Sequence, residues 1–168
     1  GGAGGGEGGG GRGGGPGSGG PGRDMAARGG VHGTAIELQR DLDRLASNLT
    51  QRCGLAHLVE HRCGNILDGD GATYDAVVSF LCFLQIADRR RLLLACRSVL
   101  SLGGGMYIED FATRREPTAA EAAALEVKVQ CPVLPSPGDY DAQLRGAGFA
   151  DVHIGGVTPQ GGALPTCR

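Results

Sequence analysis

The residues whose types and spacing point to chemistry lie between positions 15 and 39. A glycine ladder, Gly15-Pro16-Gly17-Ser18-Gly19-Gly20-Pro21-Gly22-Arg23, precedes Ala35-Ile36-Glu37-Leu38-Gln39. Glycines at alternate positions allow positive φ and a close approach of backbone to a bulky ligand. An acidic side chain about 20 residues further on, ending a strand, is placed to accept hydrogen bonds from ribose hydroxyls. Together Gly15, Gly17, Gly19 and Glu37 point to a nucleoside-type ligand at the top of an α/β sheet.

Other polar residues carry less. His57 and His61 fall on one short stretch and are expected to be structural. Glu109 and Asp110 end a later strand, where they would either face a cationic amine or be solvated at the sheet edge. Arg89, Arg90 and Arg91 occupy the first turn of a helix, against its dipole, and are expected to form a solvated face. The six cysteines include no C-x-x-C pair. That spacing supports neither a zinc site nor a disulfide scaffold, so buried free thiols and no metal are expected.

The chain has 168 residues and a formal net charge of −2. This length suits one domain with a real core. The charge gives no electrostatic footprint for nucleic acid. No apolar run reaches the ~18 residues needed to cross a bilayer. The N-terminus reads neither as a signal peptide nor as a transit peptide, so a cytoplasmic protein is expected.

The elements that must position these residues follow in order. Residues 1–14 are nearly pure glycine and are expected to be disordered, with no strand ahead of Gly15. A short helix is expected over Asp24 to Arg28 and a strand over Gly33 to Gln39. Leu42, Leu45, Ala46 and Leu49 recur as one helix face. A strand at His57 to His61 follows, then Gly64-Asn65-Ile66-Leu67. Tyr74 to Leu81 is apolar on both faces, as in the middle of a parallel sheet. Asp88 caps the next helix, which Gly103-Gly104-Gly105 is expected to break before a strand at Met106 to Phe111. Thr118-Ala119-Ala120-Glu121 is a capping box opening a helix to about Gln130. Residues 139–147 form a short helix, and Phe149 to Ile154 reads as a last strand. The alternation predicts a mostly parallel α/β sheet with helices on both faces, over 15–154, and an irregular tail at 155–168.

In this order the chain resembles the class I S-adenosylmethionine-dependent methyltransferases, and within them the small-molecule N-methyltransferases acting on sarcosine, dimethylglycine or phosphoethanolamine. The resemblance covers about four-fifths of the chain. Besides the glycine ladder it rests on Ile36-Glu37-Leu38-Gln39, Gly64-Asn65-Ile66-Leu67, Tyr74-Asp75-Ala76-Val77-Val78-Ser79, Val99 to Phe111, and Cys131-Pro132-Val133-Leu134-Pro135-Ser136. It implies a Rossmann-like sheet with S-adenosyl-L-methionine as cofactor. Gly15, Gly17 and Gly19 would approach its methionine part, Glu37 its ribose and Leu38 its adenine. Asn65, with Ile66 beside it, stands where the family usually has an acidic residue bonding the adenine amino group. An amide oxygen also accepts that bond. Ser79 would line the junction of cofactor and substrate.

Gln85 occupies the position where the resembling enzymes commonly have a histidine. Glutamine orients an acceptor but does not act as a base at neutral pH. The reading is therefore methyl transfer to a small amine such as sarcosine or dimethylglycine, driven by alignment. The alternatives are a phosphoethanolamine N-methyltransferase, or a truncated non-catalytic domain that binds the cofactor or another chain completing its sheet. The last rests on the absence of recognisable first and last strands, since the family's final antiparallel strand has no counterpart after Gly155.

Overall fold

The computed structural model describes residues 3–6, 19–69 and 71–156. Strands β1 (Ala3–Gly6), β2 (Gly33–Glu37), β3 (Val59–Cys63), β4 (Tyr74–Phe80) and β5 (Leu100–Glu109) form a five-stranded sheet in the order β3-β2-β1-β4-β5. Every pairing is parallel. The strand order reverses between β1 and β4, and such a reversal opens a crevice at the carboxyl ends of the strands. The expected Rossmann-like α/β sheet is formed.

The first strand corrects one expectation. Residues 3–6, expected to lie in a disordered stretch, pair with Ala35 and Ile36 of β2 on one side and with Ala76, Val77 and Val78 of β4 on the other. Glycine carries no side-chain pattern to reveal a strand. Backbone bonding on both edges makes one where β2 and β4 each need a neighbour.

Helices α1 (Gly20–Gly29), α2 (Arg40–Arg52), α3 (Arg89–Ser98), α4 (Ala119–Val129) and α5 (Pro137–Gly146) complete the layers. α1 is longer than the expected Asp24 to Arg28, opening at Gly19 with Pro21 in its first turn. α2 contains the expected helix face but buries Ala46 and Thr50, leaving Leu45 exposed. In α3 the Asp88 carboxylate accepts from the Arg91 N–H at 3.0 Å. In α4 the capping box is present in full, with Glu121 Oε2 accepting from the Thr118 N–H at 2.9 Å. No residue of α4 is buried, so its alanine content and its cap hold it rather than packing.

Two further elements differ from expectation. The triple glycine lies inside β5, where it forms a bulge. Tyr74 pairs with Leu100 while Ala76 pairs with Gly105, so β5 carries the excess residues. Gly103 takes φ 78°, and a Cβ on Gly104 would come within 3.0 Å of the Asp75 and Ser101 carbonyl oxygens. Residues 149–154 form no strand. The Phe149 N–H instead donates to the Leu144 carbonyl at 3.2 Å, closing α5, while the Phe149 and Val152 side chains pack on the core.

The main core joins Val77 and Met106 of the sheet to Phe83, Leu92, Leu93 and Cys96, and to Tyr140 and Leu144 of α5. A smaller cluster, Ala26, Ala35 and Val59, seats α1 on β2 and β3. No helix among the described residues is long and apolar enough to cross a membrane.

Candidate functional site

The carboxyl ends of β2, β3 and β4 surround a cavity of about 370 Å³. Ile36, Leu38 and Gln39 enter it from the end of β2, and Gly64, Asn65, Ile66 and Leu67 from the turn after β3. Cys82, Phe83, Gln85 and Ile86 follow β4. The remaining lining residue is Gln130, which caps α4. No charged side chain is among them. The polar lining is made of the carboxamides of Gln39, Asn65, Gln85 and Gln130. Amides donate and accept at neutral charge, which suits a heteroaromatic ring better than a phosphate.

The predicted residues fall as follows. Leu38 is 65% exposed, an apolar side chain open to a ligand face. Glu37 is buried at the end of β2, its Oε1 accepting the Gln39 N–H at 2.8 Å, and is not among the cavity residues. That bond closes a tight turn after β2, next to the cavity residues Leu38 and Gln39. Asn65 is exposed, and its Oδ1 accepts the Leu67 N–H at 3.0 Å, capping the 3-10 turn Ile66–Asp68. Its turn role therefore coexists with a place in the cavity wall. Ser79 is fully buried in β4 away from the cavity, its hydroxyl without a hydrogen-bond partner among the described residues. Gln85 ends the 3-10 turn Phe83–Gln85.

Of the glycine ladder, Gly15 and Gly17 lie outside the described residues. Gly19 is buried at φ 72°, and a Cβ there would come within 3.0 Å of Arg23 Nη1, 3.2 Å of His61 Cε1 and 3.3 Å of the Ala46 Cβ. Only glycine fits that corner. His61 is structural, as expected: its Nε2 lies 2.8 Å from Thr50 Oγ1. Burial holds its pKa below the ordinary histidine value, with Arg23 acting the same way and Asp43 against.

Sequence reasoning missed a second polar centre. Arg89 does not join a solvated face but is buried, whereas Arg90 and Arg91 are exposed. Its guanidinium donates to Gln143 Oε1 at 2.9 Å and to the Phe83 carbonyl at 3.2 Å, and lies 4.4 Å above the Tyr140 ring. Asp110 accepts from the Tyr140 hydroxyl at 2.7 Å. Burial raises the Asp110 pKa despite the opposing effects of Tyr140 and Arg89. Asp110 is thus engaged inside the protein rather than solvated. Glu109 is half-buried and accepts from the Tyr107 hydroxyl at 3.4 Å.

Burial pushes the Cys96 pKa up to about 12. Cys53 and Cys63 are exposed rather than buried, and Cys167 lies outside the described residues. No cluster of three metal-ligating side chains occurs among the described residues.

A family model described as a methyltransferase domain matches residues 14–108. Comparison with curated proteins gives no match. Among solved structures, a Galdieria sulphuraria protein provisionally assigned as a sarcosine dimethylglycine methyltransferase aligns with a TM-score of 0.77 at 20% identity, over 90% of this chain and 56% of its own. The Haemonchus contortus phosphoethanolamine N-methyltransferase 2, solved with S-adenosyl-L-methionine, aligns with a TM-score of 0.80 at 19% identity, over 95% of this chain and 36% of its own. The cyclase SpnF aligns with a TM-score of 0.74 at 18% identity, over 90% of this chain and 53% of its own. At these identities the likeness concerns the fold. The chain spans roughly a third to a little over half of those proteins.

Proposed function

The chain belongs to the methyltransferase domain family, and from that premise we propose that it binds S-adenosyl-L-methionine and methylates a small amine. The observation that carries this reading is the cavity at the strand ends, where Leu38, Asn65, Ile66 and Gln85, separated in sequence, line one space. Its volume of about 370 Å³ suits part of a nucleoside-sized ligand.

The residues present fit such a cofactor. Leu38 offers an apolar face for a base, and the Asn65 and Gln39 amides offer edge contacts. Glu37 ends β2 beside them; a carboxylate accepts up to about four hydrogen bonds, so the Gln39 bond does not exhaust it. Gly19 leaves the start of α1 without a Cβ, and that corner is where the methionine part would approach the backbone. When bound, the cofactor supplies a sulfonium methyl group as electrophile.

The chain's own work is alignment and exclusion of water. Gln85 orients the acceptor through its carboxamide. Its oxygen accepts the N–H of a secondary amine such as sarcosine, and its NH2 donates to the carboxylate of a tertiary one such as dimethylglycine. The amine reacts in its unprotonated form, since no basic side chain is among the described cavity residues. The described lining supplies no cluster of cations for the phosphate of phosphoethanolamine, a heavier demand than the single carboxylate of sarcosine or dimethylglycine.

A second reading is favoured by one observation. β5 is an outer strand among the described residues, and the chain covers only part of its structural neighbours. A domain that binds the cofactor and needs another chain along β5 for turnover accounts for both. Isothermal titration of the purified chain with S-adenosylmethionine and S-adenosylhomocysteine tests both readings. Micromolar binding with turnover of sarcosine or dimethylglycine supports the enzyme, and binding without turnover supports the second reading. No binding by a chain shown to be folded by circular dichroism overturns both.

A further inference from the structure

The segment after β4 reaches the cavity through a strained turn. Leu81 takes φ 52°, a conformation costly for a side chain with a Cβ, and its N–H donates to the Glu109 carbonyl at 2.7 Å. Residues in such conformations persist only where their surroundings over-determine them, and they cluster at functional sites. Here the surroundings are identifiable. The Phe83 carbonyl accepts from Arg89 Nη1 at 3.2 Å. Asp110 stands behind this turn through Tyr140: its Oδ2 accepts the Tyr140 hydroxyl, and its buried Oδ1 has no hydrogen-bond partner among the described residues. The Phe83–Leu84 peptide is thus held by a buried cation at its oxygen. The next residue is Gln85.

The two charges are themselves fixed. The Tyr140 hydroxyl donates to Asp110 Oδ2 at 2.7 Å while the Tyr140 ring lies under the guanidinium at 4.4 Å. Gln143, one helical turn along α5, accepts from Arg89 Nε at 2.9 Å. Stability alone is a poor reason for this arrangement. Arg89 is only 5% exposed, and its Nη2 has no hydrogen-bond partner among the described residues. A buried charge held by neutral partners rarely outperforms apolar packing, and an unpaired buried donor adds a cost. What the arrangement fixes is direction.

We infer that Arg89, Asp110 and Tyr140 act as a clamp that sets the direction in which Phe83 and Gln85 enter the cavity. These are positioning residues, acting through the Phe83–Leu84 peptide. The inference rests on the reading of that cavity as the cofactor site. It explains why α5, which contributes no cavity residue, is tied by side chains to the turn that does.

The test uses the full chain and two readouts, amide hydrogen exchange at Leu84 and Ile86 and S-adenosylhomocysteine affinity by titration. The variants are Tyr140→Phe, Arg89→Lys and Arg89→Met, with Leu100→Val as a control that trims the same core without touching the clamp. Arg89→Met and Tyr140→Phe are expected to speed exchange at both amides and to weaken affinity about tenfold, comparable to losing one charge-assisted hydrogen bond. Arg89→Lys restores part of both, and Leu100→Val leaves affinity within about twofold. Should Arg89→Met fail to fold, Tyr140→Phe and Arg89→Lys carry the same comparison. Unchanged exchange and affinity in the clamp variants overturn the inference. So does a loss in Leu100→Val as large as in the clamp variants, since that is the mark of a general structural effect. Absence of binding by the unsubstituted chain defeats the cofactor reading instead, and the exchange readout still judges the clamp.

Discussion

Replacing Glu37 separates two roles that the structure assigns to one carboxylate. Within the protein, its Oε1 accepts the Gln39 N–H at 2.8 Å. Gln39 is exposed, so water takes over that donor in Glu37→Ala, and losing this one bond costs about 0.5–1.5 kcal/mol. Towards a ribose, an ionised acceptor contributes about 1.5–3 kcal/mol, which is roughly 10- to 150-fold in Kd. The two effects therefore differ in size and are read by different instruments. Thermal melts report the first, and titration with S-adenosylhomocysteine at a temperature where both proteins are folded reports the second. Glu37→Gln keeps an oxygen for Gln39 while removing the charge, so it is expected to melt near the unsubstituted chain and to bind between it and Glu37→Ala. If Glu37→Ala is folded and binds within about twofold of the unsubstituted chain, Glu37 serves only to turn the chain after β2. The ribose assignment then fails.

Two further expectations follow from local geometry. Gly19→Ala places a Cβ at φ 72° within 3.0 Å of Arg23 Nη1, so it is expected to lower stability by about 1–2 kcal/mol or more, measured by chemical denaturation; an unchanged midpoint would show that the corner opens freely. His61 is held below its ordinary pKa of 6.5 by burial, with Arg23 reinforcing and Asp43 opposing. The unfolded chain then binds the proton first, so stability present at neutral pH is lost as pH falls below about 6.5 towards the lowered folded value. His61→Gln, which can still pair with Thr50, should flatten that slope in melts from pH 7 to 5, and an unaltered slope would count against the assignment.

Features that depend on a few neighbouring residues were legible. The Thr118 and Glu121 capping box opens α4 as read, because both partners lie within one turn. The apolar run at Tyr74 gives β4, and Leu38, Asn65 and Gln85 reach one cavity because each follows a strand whose end the alternation of elements already located. Where glycine dominates, the pattern disappears. β1 and the glycine run inside β5 contain almost no side chains to read, and in both the backbone ladder to β4 decides the outcome.

Arg89 shows the other limit. In a run of three arginines at a helix start, nothing distinguishes the buried one. Its partner Gln143 lies 54 residues away, and Tyr140 meets Asp110 across 30. The same holds for Gln130, whose left-handed φ of 53° at the end of α4 turns it to the cavity. The sequence by itself determined the alternation of strands and helices from β2 to α5 and the residues at those strand ends, since periodicity, caps and turn chemistry act over one or two turns of chain. Only the tertiary structure decided which charges are buried and which peptide is gripped. Desolvation and ion pairing depend on what distant segments bring to the same few ångströms.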